Sequence, residues 1–250
     1  MLGLEWTTLL AATLSIFCGS YIKGAIGFGL PVIVTPIMIF FLQLPDIITL
    51  QLFPICISNI QQCWLTRHHA HLLKKIWPMI VINVFILLLG GQILVKSNSL
   101  RLMPIIGGLI VLQALLSEMN YFVLKDNKNF KIWMILSGIT SGILGSISSF
   151  FAFPSVQLIF SLQLKREEFV FLVGFLLSTG FIALWTGIAL NGFDIQEKLP
   201  LSILLIGPTL IGIWLGNVTR KAFSPKWFKI GVRVMLILTG LTLIIKSLVN

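Results

Sequence analysis

The sequence predicts an all-α, polytopic membrane protein built from two inverted repeats of about five segments each. Of its 250 residues, 57% are hydrophobic and 10% are charged, against about 25% charged residues in an ordinary soluble domain. The apolar residues form long runs separated by charge, Pro or Gly. This composition excludes a water-soluble fold, and a formal net charge of +10 therefore does not indicate nucleic acid binding.

Six of the apolar runs are long enough to cross a hydrocarbon core of roughly 30 Å, at about 1.5 Å per helical residue. They are 46–66, 76–96, 101–123, 168–190, 199–219 and 227–248. The four remaining runs are shorter or contain several Ser and Thr, and we expect them to be broken or re-entrant half-helices that open each repeat. They are 4–22, 30–44, 132–145 and 150–164.

Each pair of half-helices meets at a break rich in Gly and Pro. The first break occupies 23–31 and the second 142–154, and their shared composition aligns Gly27 with Gly145. The recurrence of such a break in both halves of the chain indicates a tandem duplication within one integral membrane domain. We place the first repeat at 1–124 and the second at 125–250.

The positive charge is distributed unevenly over the connecting loops. About thirteen Lys and Arg residues fall on loops of one side and about four on the other, which by the positive-inside rule makes the richer side cytoplasmic. Both termini are then predicted to be non-cytoplasmic. Because each repeat has an odd number of segments, the second repeat enters the membrane from the opposite side to the first.

Inverted repeats with breaks at matching positions are typical of secondary transporters, which bind their substrate near the breaks. Unwound backbone inside a membrane must face protein or a water-filled cavity. The helix that follows a break presents N–H groups and the positive end of its dipole, an arrangement that favours an anion. The alternative is that the glycines of the breaks only permit close helix packing.

The candidate substrate-binding residues are those of the two breaks together with polar or cationic side chains on the long helices. They are Lys23, Gly27, Phe28, Gly29, Asn59, Gln62, Gly145, Ser146, Ser148, Ser149, Phe150 and Arg233. Glu118, an acidic residue inside a long segment, is a candidate for proton coupling.

Each class of candidate also has a structural interpretation. The two cations could extend to the membrane surface, and the serines could bond back to helix carbonyls. The helix amides could join neighbouring helices.

Other chemistries lack their motifs. The tract Arg67-His68-His69-Ala70-His71 contains no Cys or carboxylate, so we predict a solvated basic loop and no metal site. The three cysteines have no zinc-site spacing. A phosphate-binding GxxxxGK[ST] loop, a nucleophile elbow and a carboxylate pair are all missing from the sequence. The sequence therefore predicts neither an enzyme nor a cofactor.

Several short motifs resemble those of the TauE/SafE family of membrane permeases, and the resemblance extends over nearly the whole chain. They are the tract from Gly24 to Pro31 (GAIGFGLP), Thr66-Arg-His-His, Gly142-Ile-Leu-Gly with Phe153-Pro154, Leu215-Gly216, Phe223-Ser-Pro and Leu238-Thr-Gly-Leu. The resemblance implies a transport protein of two homologous halves that moves sulfite, organosulfonates or related sulfur-containing anions.

Together, the residues and the resemblance predict a secondary transporter that moves sulfite or an organosulfonate across the cytoplasmic membrane by alternating access. The anion would be held between the two breaks at the repeat interface. The expected partners are this small anion and the lipid bilayer, without nucleic acid. Two alternatives stay open: an anion channel with a re-entrant filter, and a membrane partner protein that transports nothing.

Overall fold

The computed structural model describes residues 6–27, 29–96, 99–116, 129–149 and 151–219, with eight separate positions between 233 and 247. Every regular element in these ranges is helical, which confirms the all-α prediction. The α-helices are α1 (Trp6–Ile26), α2 (Leu30–Met38), α3 (Leu44–Leu65), α4 (Leu73–Lys96), α5 (Ser99–Leu116), α6 (Phe130–Ser148), α7 (Ser155–Ser161), α8 (Arg166–Leu190), α9 (Leu199–Leu204) and α10 (Ile206–Thr219). A 3-10 helix, Arg67–Leu72, joins α3 to α4.

Five stretches of the described chain are long and apolar enough to cross a membrane. They are Trp6–Ala25, Arg67–Lys96, Phe130–Ser148, Glu167–Leu190 and Leu199–Thr219. These helices agree with a multi-pass membrane protein. The predicted segment 227–248 falls mostly outside the described residues.

The helices that open each half are longer than the half-helices predicted from the sequence. α1 has 21 residues and α6 has 19, whereas α2 has nine and α7 has seven. Each break therefore joins one membrane-length helix to one short helix. Small residues such as Gly24 and Gly142 lie within helices, where they contact a neighbouring helix and do not end their own.

The described chain forms two compact units. The first comprises α1, α2, the part of α3 up to Pro54, α5, α9 and α10. In it α1 packs on α10 through glycines: a Cβ atom at Gly24 would lie 2.4 Å from the Ile213 carbonyl oxygen, and one at Gly216 would lie 2.1 Å from that of Tyr21. Backbones this close leave no room for side chains, so these glycines are packing residues.

The second unit comprises the remainder of α3, the 3-10 helix, α4, α6, α7 and α8. α4 packs against both α6 and α8. A Cβ atom at Gly142 of α6 would lie 2.8 Å from Ile86 Cβ, and one at Gly91 of α4 would lie 2.2 Å from the Gly187 carbonyl carbon of α8. Small residues thus set the helix spacing here too.

Each compact unit combines helices from both halves of the sequence. Helix α1, which opens the first half, packs on α10, which belongs to the fourth segment of the second half. Helix α6, which opens the second half, packs on α4, which is the fourth segment of the first half. The predicted duplication into 1–124 and 125–250 stays a prediction.

Candidate functional site

The first break lies between α1 and α2 in the first unit. α1 ends at Ile26, and Gly27 and Gly29 then adopt φ values of 104° and 121° before α2 begins at Leu30. Such positive φ values favour glycine, because a Cβ atom would clash with the backbone. Gly27 and Gly29 are therefore needed for the conformation of the break. Phe28 lies outside the described residues.

Lys23 lies in the last turn of α1, where its carbonyl oxygen accepts a hydrogen bond from the Gly27 N–H at 2.6 Å. Its side chain is only 5% exposed. A lysine that extends to the membrane surface keeps its ammonium group in water, whereas this one is enclosed by protein. The sequence left both arrangements open, and the burial of Lys23 favours a role inside the protein.

Further buried polar groups in the first unit lie on α1, α2 and α3. Gln51 Nε2 donates a hydrogen bond of 3.0 Å to Thr35 Oγ1. In the part of the chain that the structure describes, Gln51 Oε1 and Ser20 Oγ are buried without a hydrogen-bond partner. An unsatisfied buried polar group costs about 1–3 kcal/mol, and a water or a ligand at these atoms would remove that cost.

The second break lies between α6 and α7 in the second unit. Ser149 ends α6 in a left-handed conformation with φ 63°, and its N–H donates to the Gly145 carbonyl oxygen at 2.8 Å. A cis peptide bond joins Phe153 to Pro154. When the two breaks are aligned by the ends of α1 and α6, Gly27 corresponds to Ser149. The alignment by composition paired Gly27 with Gly145, which lies one helical turn earlier in α6. Phe150 lies outside the described residues.

Gly145 has a packing role within α6. A Cβ atom there would lie 2.5 Å from Phe151 Cβ and 2.6 Å from Leu87 Cδ2. Gly145 therefore lets Phe151 fold back against α6. Of the two glycines aligned by composition, Gly27 serves the backbone turn and Gly145 serves packing.

Two backbone N–H groups near the start of α7 already have partners. The Val156 N–H donates to the Ala152 carbonyl oxygen at 2.7 Å, and the Leu158 N–H donates to that of Pro154 at 3.0 Å. The sequence led us to expect N–H groups available to an anion after both breaks. In the second break the better donors are side chains.

The three serines of the second break differ in their hydrogen bonds. Ser146 Oγ donates to the Gly142 carbonyl oxygen at 2.8 Å, and Ser148 Oγ donates to that of Leu144 at 2.7 Å. Ser149 is 2% exposed, and its Oγ has no hydrogen-bond partner among the described residues. Ser146 and Ser148 therefore bond back to helix carbonyls, as the structural interpretation expects. The Ser149 hydroxyl is available to donate a hydrogen bond to a ligand.

Sequence reasoning missed a buried polar cluster beside the second break, formed by Asn83, Ser137, Ser141 and Ser155. Asn83 Nδ2 donates to Ser141 Oγ at 2.8 Å, and Ser141 Oγ lies 2.7 Å from Ser155 Oγ. Within the described chain, Asn83 Oδ1 has no hydrogen-bond partner. This Asn83 cluster ties α4, α6 and the start of α7 together, and it was missed because Asn83 lies 58 residues from Ser141 in the sequence.

Two of the polar candidates on the long helices differ in burial, since Gln62 is half-buried and Asn59 is fully buried. Gln62 Nε2 of α3 donates to the Val170 carbonyl oxygen of α8 at 3.0 Å, so it holds two helices together. Asn59 is buried on α3.

The two charged candidates lie in the later parts of each half. Arg233 is a half-buried helical residue. Glu118 lies outside the described residues.

Comparison with known families identifies the chain. The family model of the sulfite exporters TauE/SafE matches residues 12–243. The chain belongs to the TauE/SafE family. No curated protein and no solved structure matches it. Membership makes the chain a membrane transport protein for small sulfur-containing anions, and both breaks fall within the matched residues.

The two breaks of this TauE/SafE protein lie in different compact units. The first contains Lys23 and the two positive-φ glycines, and the second contains Ser149, whose hydroxyl has no hydrogen-bond partner among the described residues. These two sets are the candidate anion-binding groups.

A further group in the second unit was also missed from the sequence. His68 Nε2 and His69 Nε2, in the 3-10 helix, each lie 3.6 Å from Glu167 Oε2 at the start of α8. The sequence prediction considered only the histidine loop itself, which lacks a carboxylate. The available signal was that the loop and Glu167 lie on the same predicted side of the membrane.

Proposed function

We propose that this TauE/SafE protein is a secondary transporter that carries sulfite or a small organosulfonate across the cell membrane by alternating access. The observation that carries the proposal is the pair of breaks, each following a membrane-length helix at a residue with positive φ. Lys23 lies one turn before the first of these residues, Gly27, and the unpaired hydroxyl of Ser149 lies at the second. The proposal places the basic loops in the cytoplasm and both termini outside.

The chemistry of the two breaks suits a compact oxyanion. Lys23 would supply a full positive charge, and Ser149 would supply a hydroxyl donor. Hydrogen bonds to a charged group contribute about 1.5–3 kcal/mol each, and they are stronger where water is excluded. The turn at Gly27 and Gly29 would let backbone approach the anion closely.

The remaining candidates divide by their contacts. Gln62, Ser146 and Ser148 have structural hydrogen bonds, so we assign them to the scaffold. Asn59 and Arg233 are proposed as supporting donors. Alternating access requires the anion site to open to each side in turn, and in this proposal the breaks would be the points at which the short and long helices move relative to each other.

Ligand binding to the purified protein tests this proposal. A ligand that binds the folded state raises its stability by mass action. Sulfite and methanesulfonate should raise the melting temperature of the detergent-solubilised protein, and acetate at the same concentration should raise it less. The absence of a shift with every sulfur anion, together with no flux, would contradict the proposal.

The mode of transport needs a separate measurement. A carrier should give saturable sulfite flux into proteoliposomes without unitary currents in planar bilayers. Unitary currents far above carrier turnover would instead establish the channel alternative.

A further inference from the structure

The loop between α3 and α4 contacts the start of α8 through three side chains with metal-binding atoms. The 3-10 helix places His68 and His69 side by side, with ring centroids 4.1 Å apart. Glu167 reaches both of them, because its Oε2 lies 3.6 Å from each Nε2. One atom of each of the three residues falls within 4.8 Å of the other two. All three residues belong to the second unit.

The distances fit a shared ion better than direct hydrogen bonds. An N–H···O hydrogen bond joins atoms about 2.7–3.2 Å apart, so 3.6 Å is too long. Two ligands of a tetrahedral zinc ion, with bonds of about 2.0–2.2 Å, lie about 3.3–3.6 Å apart. Each histidine nitrogen is therefore as far from the Glu167 oxygen as two ligands of one metal ion are from each other.

His69 provides a second, independent observation. Its side chain is 16% exposed, and its Nε2 is shielded from solvent. Among the described residues this Nε2 has no hydrogen-bond partner. Such an atom calls for an explanation, and an ion lying between the three residues supplies one.

The neighbouring charged residues are engaged elsewhere. Glu168 Oε2 accepts a hydrogen bond of 2.8 Å from the Lys165 N–H and so caps α8. Arg67 stacks over Trp64 at 4.7 Å and donates to its carbonyl oxygen at 3.1 Å. Glu167 therefore contacts the histidines, whereas Glu168 stabilises the start of α8.

We propose that His68, His69 and Glu167 bind a divalent transition-metal ion and clamp the α3–α4 connection to the start of α8. Two imidazoles and one carboxylate form a ligand set typical of zinc, with water in the fourth position. Glu167 is 69% exposed, so that position is open to solvent. Ni²⁺ and Cu²⁺ should also bind, because imidazole suits them.

Zinc titration of the full-length protein tests the site. The protein is purified in detergent without a polyhistidine tag, stripped with a chelator and titrated with ZnCl₂ in a calorimeter. We expect one zinc ion per chain, and a Kd at least about tenfold higher in Glu167→Gln. His71→Ala is the matched control: it removes the other loop histidine and should leave the Kd almost unchanged.

A second readout is the melting temperature. Zinc should raise it in the wild-type protein and much less in Glu167→Gln. The proposal is overturned if the wild-type protein binds no zinc, if Glu167→Gln binds zinc as the wild type does, or if His71→Ala weakens binding equally. Either of the last two results would show that the histidine loop binds zinc without a specific site at His68, His69 and Glu167. None of these outcomes depends on anion transport.

Discussion

The first and second breaks differ in how the chain leaves its membrane-length helix. In the first, two glycines with φ values of 104° and 121° follow Lys23 within six residues. In the second, Ser149 turns the chain with φ 63°, and the polar groups nearby are hydroxyls and an amide. The first break thus combines a buried cation with two positive-φ glycines, whereas the second offers the neutral Ser149 hydroxyl.

This difference teaches that breaks of similar composition in the two halves of a chain need not contribute the same chemistry. A buried cation such as Lys23 attracts a small anion by charge. The Ser149 hydroxyl of the second break would orient the anion without adding charge. The two predictions that follow sharpen this division of roles.

The largest effect should come from Lys23. Replacing it with Met removes the positive charge of the first break, and we expect the Kd for sulfite, measured by calorimetry, to rise about 100-fold, the equivalent of about 2.7 kcal/mol. Lys198→Met is the matched control. Lys198 is also buried, but it lies at the start of α9, outside both breaks, so its loss should change the Kd little.

Folding of the Lys23 variant is checked by its melting temperature and gel filtration. Lys23→Arg, which keeps the charge, should bind more tightly than Lys23→Met. Equal sulfite affinity in the wild type and a folded Lys23→Met variant would assign the charge to another residue.

A smaller effect should come from Ser149. Ser149→Ala removes a hydroxyl without changing the backbone, and we expect the Kd for sulfite to rise about tenfold, since a hydrogen bond to an anion is worth about 1.5 kcal/mol or more. Ser148→Ala is the matched control, because the Ser148 hydroxyl is bonded to Leu144. Equal effects of the two changes would show that the free hydroxyl has no special role.

Much of the helical framework could be predicted from the sequence because uninterrupted apolar runs define a span. The predicted segments 76–96 and 168–190 correspond to Leu73–Lys96 and Arg166–Leu190. The opening helices were predicted too short, because their glycines resemble stop signals in sequence. In the structure those glycines contact carbonyl groups or side chains of the adjacent helix, a feature that only the packing reveals.

The candidate site was only partly predictable, since composition identifies a break but does not specify its hydrogen bonds. Three serines in the second break look equivalent in sequence, yet only Ser149 lacks a partner among the described residues. Asn83 and Glu167 were missed for another reason. Their partners are tens of residues away along the chain, and no local pattern brings such residues together.

Uptake of labelled sulfite into proteoliposomes tests the central claim most directly, with the wild type compared against a Lys23→Met, Ser149→Ala double variant. If the two breaks bind the transported anion, the wild type should show saturable uptake, and the double variant, reconstituted to the same density, should lose about 99% or more of it, as expected from the summed losses of binding energy. Uptake by a folded double variant within about twofold of the wild type would contradict the account.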